Sequence, residues 1–165
     1  MTQWPHADDG RLRDLAGMAV VWVAAGLLLR PFQNTPFVDD WVYAWPVERL
    51  LKAGDLRVLD HSTTLNAVQT LWGALFCLPF GFSFTALRVA TWVTGLLGLW
   101  GMYLLLRDQG VTRRDALLGT ACLGAYPIYF VLSFTFMTDV PLVACTIWAT
   151  LAFFRATRRR SDGCL

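Results

Sequence analysis

Residues 65–84 read LNAVQTLWGALFCLPFGFSF, and whether this stretch crosses a bilayer or lies along it decides the topology of the whole chain. Its length alone would allow a crossing, since a span needs roughly 17–25 mostly apolar residues. Its pattern argues for the surface instead. Asn66, Gln69 and Thr70 cluster, while Leu65, Val68, Trp72 and Leu75 recur at helical spacing, as in an amphipathic helix lying in the interface. Pro79 and Gly81 then stop it.

Four other stretches have the length and apolarity of a span, at about 15–32, 89–106, 116–137 and 140–154. The first holds one charge, Arg30, near enough to its end to snorkel; the second and third hold none, and Asp139 and Arg155 bound the fourth. Each is expected to be a helix, because in hydrocarbon only a helix satisfies all its backbone groups within one segment. The basic residues choose between four spans and five. Four spans put Arg11, Arg13, Arg107, Arg113, Arg114, Arg155, Arg158, Arg159 and Arg160 on the cytoplasmic side, nine of the 14 Lys and Arg. A fifth span at 65–84 would leave only Arg11, Arg13 and Arg88 inside, against the positive-inside bias.

The expected architecture is therefore an all-α integral membrane protein of four transmembrane helices, multi-pass in the plasma (inner) membrane. Residues 1–14 form a cytoplasmic N-terminus, 15–155 the membrane domain and 156–165 a basic cytoplasmic tail. Residues 34–86 make a long extracytoplasmic first loop carrying interfacial amphipathic helices. The first apolar run resembles a signal sequence after Arg11 and Arg13, but no small-residue cleavage pattern follows it, and Arg30-Pro31-Phe32 does. An uncleaved anchor is the expectation.

Composition agrees. Of 165 residues, 56% are hydrophobic and only 16% charged, against about 25% charged in a soluble domain. A net charge of +2 is too small to point to nucleic acid, and the Arg155–Arg160 run is read as the flank that stops transfer of the last span. Cys77, Cys122, Cys145 and Cys164 are dispersed, form no Cys-x-x-Cys or other ligand spacing, and are read as packing residues. No Gly-rich phosphate loop, Ser/His/Asp arrangement or His/Cys cluster is present.

The outer loop carries five acids against three bases, and two of its acids, Asp39 and Asp40, stand directly behind the first span. A carboxylate so close to a bilayer costs free energy unless it meets water, a partner or a substrate. Trp41, Tyr43 and Trp45 follow and suit the headgroup belt. A helix is expected from 41 to 53, kinked or divided at Pro46 and ended by Gly54. The pair has two readings: a cap on that helix, or a site.

The order of these residues resembles a known family. A first span is followed by Phe37-Val38-Asp39-Asp40-Trp41-Val42-Tyr43, then by Glu48-Arg49-Leu50-Leu51-Lys52-Ala53-Gly54-Asp55-Leu56. Phe84-Thr85-Ala86-Leu87-Arg88 opens the second span, and Phe136-Met137-Thr138-Asp139-Val140-Pro141 joins the third to the fourth. The whole is similar to the N-terminal part of the lipid-linked-sugar glycosyltransferases of GT-C type, family 39, the dolichyl-phosphate-mannose protein mannosyltransferases and aminoarabinose transferases.

The resemblance implies transfer of a sugar from a polyprenyl-phosphate donor to an acceptor hydroxyl on the outer face. It implies Asp39 as the base, with Asp40 orienting it or the two together holding a divalent cation. Arg57, His61 and Arg88 are the candidates for the leaving phosphate, although Ser62-Thr63-Thr64 departs from the family's sequence after His61, and Arg88 has an interfacial reading too. Asp139 is expected to start a helix before Pro141, facing the same compartment as Asp39 as a supporting contact. Members of the family continue through further spans, so the chain is expected to be an incomplete transferase that needs its C-terminal part or a partner membrane subunit. The alternative is a non-catalytic small membrane adaptor or subunit. A transporter is disfavoured because the second and third spans lack ionisable residues.

Overall fold

The computed structural model describes residues 10–29, 33–37, 39–57 and 66–162, the last four of these without their side chains. They form seven helices: α1 (Arg11–Leu29), α2 (Asp40–Ala53), α3 (Ala67–Cys77), α4 (Phe84–Asp108), α5 (Arg113–Ala125), α6 (Pro127–Leu132) and α7 (Asp139–Asp162). No strand occurs among the described residues. Three helices, α1, α4 and α7, are long and apolar enough to cross a membrane.

α4 is the axis on which the others pack. α1 runs antiparallel to it: Trp22 Nε1 donates to the Trp92 carbonyl at 3.0 Å, Trp100 Nε1 to the Leu15 carbonyl at 3.1 Å, and Tyr103 reaches Asp14. α7 runs parallel to α4, with Trp148 Nε1 donating to the Leu97 carbonyl at 3.0 Å and Arg155 Nε to Asp108 at 2.6 Å. Glycine makes the close approach possible. A Cβ on Gly98 would lie 3.2 Å from that of Ala144, and one on Gly101 would lie 3.0 Å from the Ile147 and Trp148 side chains.

The stretch 116–137, expected as one helix, is two helices and a turn. Pro127 has no amide hydrogen and pushes the residue before it out of the helical region, and Tyr126 takes φ −63°, ψ 121°. α5 and α6 nevertheless run back along α4 in sequence. Gly119 faces Leu106, Gly124 faces Leu99, and Tyr129 Oη donates to the Gly95 carbonyl at 2.7 Å. Trp22 then packs against Tyr129, Phe130 and Phe134, its ring 5.9 Å from that of Phe130.

The two helices of the 34–86 segment sit together at the α4 N-terminus. α2 begins one residue earlier than expected and continues through Pro46 unbroken; Gly54 ends it at φ 66°. α3 presents the opposite faces from an ordinary surface helix. Gln69 and Thr70 are buried against the protein, whereas Val68 is 79% exposed and Leu71 57%. Trp72 of its apolar series turns inward and donates to the Ala90 carbonyl and to Thr94 Oγ1 of α4. Leu78–Phe80 and Gly81, at φ 80°, end it as Pro79 foretells.

Ala44, Val47, Ala74, Cys77, Leu87 and Phe136 form the core at this end. Phe136 comes from the α6–α7 connection, so one ring ties the distant connection to α2, α3 and α4. Gly73 makes room for it, since a Cβ there would meet Phe136 Cζ at 2.6 Å.

Candidate functional site

Asp39 and Asp40 are adjacent in sequence and opposite in environment. Asp40 is the first residue of α2 and is wholly buried. Its Oδ2 accepts from Arg88 Nε at 3.1 Å and from a terminal guanidinium nitrogen at 2.9 Å, and its Oδ1 accepts from the Phe136 backbone amide at 2.7 Å. Asp39 precedes the helix and is exposed. Its side chain makes no capping bond, so the capping reading does not describe its carboxylate.

Arg88, one turn into α4, is buried rather than snorkelling to an interface, its side chain only 4% exposed. Besides Asp40, it donates to the carbonyls of Gln33 at 2.7 Å and Thr35 at 2.6 Å. A buried ion pair holds together when further hydrogen bonds satisfy both partners, and here they do. Asn34, between those two carbonyls, accepts from the Phe84 amide at 2.9 Å and from Ser83 Oγ. The connector 33–35 is thus stitched onto the start of α4. Gln69 Nε2 of α3 completes the network by donating to the Phe136 carbonyl at 3.3 Å.

This arrangement bears on the cation that the resemblance offers as an option. Asp40 directs one oxygen at Arg88 and the other at Phe136, so a cation shared with Asp39 would first have to displace a guanidinium. The donor set does not fit a two-carboxylate metal site. No cluster of three His, Cys, Asp or Glu residues occurs among the described residues.

Arg57 lies beyond α2, exposed, and pairs with Asp55 at 3.1 Å; Arg49 reaches the same carboxylate at 3.2 Å. His61 lies outside the described residues. Asp139 is exposed at the start of α7, beside a cavity of about 170 Å³ lined by Leu123, Tyr126, Tyr129 and Leu132 among others. Tyr126, at the α5–α6 break, is among its lining residues, as is Asp139 itself. The structure therefore gathers Asp40 and Arg88 into one network, leaves Asp39 and Asp139 facing out, and sets Arg57 apart on Asp55.

Two contacts escaped the sequence reading. Phe136, which opens the motif joining the third expected span to the fourth, acts through its backbone amide and its ring, whose partners are distant in sequence. Asp14 is buried at the opposite end of the bundle, where Tyr103 donates to it at 2.6 Å and Arg113 Nε at 2.8 Å. An acid inside a helix otherwise rich in Ala, Val and Leu was the available signal for the second.

Fold and site together define a multi-pass helical membrane protein with a buried acid–arginine network and exposed carboxylates at one end. Residues 60–164 match the family model of the dolichyl-phosphate-mannose-protein mannosyltransferases, and the chain belongs to that family. The match takes in α3 to α7, with Arg88 and Asp139, and begins after Asp39 and Asp40. Neither the curated proteins nor the solved structures hold a match to the chain. The family is one of membrane glycosyltransferases, as the resemblance implied.

Proposed function

We propose that the chain is the N-terminal membrane part of a glycosyltransferase that moves a sugar from a polyprenyl-phosphate donor to an acceptor hydroxyl outside the cytoplasm. The observation that carries this is the division of labour between the two acids: Asp40 is consumed by structure, and Asp39 is held next to it with its carboxylate exposed and uncommitted among the described residues.

Four crossings are part of this reading. α4 and α7 end together at Asp108 and Arg155, so the chain between them must return to the far end, and α5 and α6 run that way along α4. Residues 113–132 at about 1.5 Å each would span roughly 30 Å, the hydrocarbon thickness of a bilayer. Arg11, Arg113, Arg155 and Arg158 gather at the Asp108 end, which the positive-inside bias assigns to the cytoplasm of the plasma membrane. Asp39 and Asp139 then face outward. The exposed Val68, Leu71 and Leu75 of α3 turn to lipid, and its polar residues turn to protein.

In the proposed reaction Asp39 takes the proton of the acceptor hydroxyl. The hydroxyl oxygen forms a bond to the anomeric carbon, the bond from that carbon to the phosphate oxygen breaks, and the electron pair leaves with the lipid phosphate. Direct displacement inverts the anomeric centre. Arg57, by exchanging Asp55 for the phosphate, and His61 are the basic groups left to stabilise the leaving charge. Asp139 supports the acceptor side from the start of α7. Further spans of the same protein, or a partner membrane subunit, complete the donor pocket.

The experiment compares sugar transfer from polyprenyl phosphate by membranes carrying the natural gene product and its Asp39→Asn variant. Loss of a general base is expected to lower turnover about 100-fold or more. Unchanged turnover in Asp39→Asn removes the assignment.

A further inference from the structure

We infer that Asp40, Arg88 and the Phe136 peptide form a positioning device that sets the two exposed carboxylates, Asp39 and Asp139, in fixed relation, and that Arg88 is no ligand of the leaving phosphate. The catalytic half of this inference rests on the reading in the preceding subsection; the geometric half stands alone.

Arg88 has four bonds to protein acceptors within 3.1 Å: two to Asp40 and one each to the Gln33 and Thr35 carbonyls. A phosphate reaching this guanidinium would have to enter a buried space and strip it of a carboxylate. The group is committed to holding backbone instead.

What it holds is the joint between the two acidic segments. Asp39 is one residue from Asp40, and Asp139 is three residues from Phe136. The two anchors bond directly, Phe136 N–H to Asp40 Oδ1 at 2.7 Å. The carbonyl of the same residue accepts from Gln69 Nε2, and its ring is buried against Gly73 and Leu87. After the joint, the Leu142 amide bonds the Thr138 carbonyl at 3.0 Å, so α7 starts without slack. Each exposed carboxylate thus hangs within a few residues of a buried anchor, and the anchors are one unit. A misplacement of about 1 Å among reacting groups costs on the order of 100-fold in rate, which is the reason to spend buried charge on register.

The test places spin labels at 39 and 139 (Asp39→Cys and Asp139→Cys, native cysteines replaced) in the full chain in lipid nanodiscs. Pulsed EPR should give one narrow distance distribution. Arg88→Lys keeps the charge but has neither the planar fork nor enough donors for all four bonds, and is expected to broaden that distribution with helix content unchanged. Gln69→Leu, which removes only the Phe136 carbonyl's bond, should broaden it less, and it keeps the test alive if Arg88→Lys does not fold. An unchanged width in the folded variants overturns the inference. In transfer assays with both acids restored, Arg88→Lys should lower kcat about 100-fold with the donor KM unmoved; a raised donor KM at retained kcat would make Arg88 a phosphate ligand. If membranes carrying the unaltered natural gene product transfer no sugar, the functional reading fails while the distance measurement still decides the geometry.

Discussion

Tyr103 of α4 donates a 2.6 Å hydrogen bond to Asp14 of α1, and Arg113 of α5 grips the same carboxylate. One acid therefore staples three helices at the end of the bundle remote from Asp40. Tyr103 is almost wholly buried, so its hydroxyl has no water to turn to. Tyr103→Phe is expected to lose about 1 kcal/mol, and Asp14→Ala more, because it leaves the hydroxyl unpaired. Thermal unfolding in detergent measures both, and a stability order with Tyr103→Phe the worse of the two would contradict the staple.

The Asp40–Arg88 pair is a matched set whose halves are harmful alone. Removing either partner strands a buried charge and is expected to cost about 3–5 kcal/mol. The double variant Asp40→Leu with Arg88→Met should cost less than the two singles added together. A double-mutant cycle by denaturant unfolding reads this coupling, and strict additivity would show that the two side chains do not depend on each other.

Gly73 is required by the Phe136 ring. A Cβ at this position would sit 2.6 Å from Phe136 Cζ and 2.8 Å from Leu87 Cδ2, so Gly73→Ala should destabilise by about 1–3 kcal/mol through overpacking. Adding Phe136→Leu to Gly73→Ala should return part of that loss. If Gly73→Ala alone leaves the melting temperature unchanged, the ring is not where the packing puts it.

Cys77 is buried in α3, and burial raises its thiol pKa. The reactive thiolate therefore forms only at higher pH than for a free cysteine. In a variant keeping Cys77 alone, a water-soluble maleimide is expected to leave the folded protein unlabelled at neutral pH and to label it after denaturation. Rapid labelling of the folded form would contradict the burial of α3 against α4.

Orientation has its own readout. In intact cells, an impermeant thiol reagent should label Phe37→Cys and spare Gln109→Cys, which lies in the turn after α4. The reverse pattern would place Asp39 in the cytoplasm and end the proposed outer-face chemistry.

Composition and period made the helical membrane class legible; α4 extends the apolar run at 89–106 back to Phe84 and on to Asp108, and α7 extends the run at 140–154 by one residue at its start and through the basic residues to Asp162 at its end. α2 was legible from Gly54, which takes the left-handed conformation that favours glycine. The division of 116–137 was written in Pro127, whose effect the unbroken apolar run obscured. α3 shows the limit of reading amphipathicity. Gln69 and Thr70 mark a polar face correctly, but whether that face meets water or protein depends on partners distant in sequence. The candidate site was legible in its residues and not in their contacts, for a similar reason. Residue type and position flagged Asp39, Asp40 and Arg88, whereas the contacts of Asp40 and Arg88 are set in part by the Phe136 amide and by the Gln33 and Thr35 carbonyls, which belong to the backbone.

The bond from Phe136 to Asp40 spans 96 positions, and this orders events during synthesis. Once the start of α4 has emerged, Arg88 can already claim Asp40, yet the acid still lacks the Phe136 amide and the small core around Val47 still lacks the Phe136 ring. Both arrive only with the approach to the last helix. Until then one oxygen of Asp40 has no donor and the place beside Gly73 and Leu87 stands unfilled, so closure of this end of the bundle waits on the segment that leads into α7.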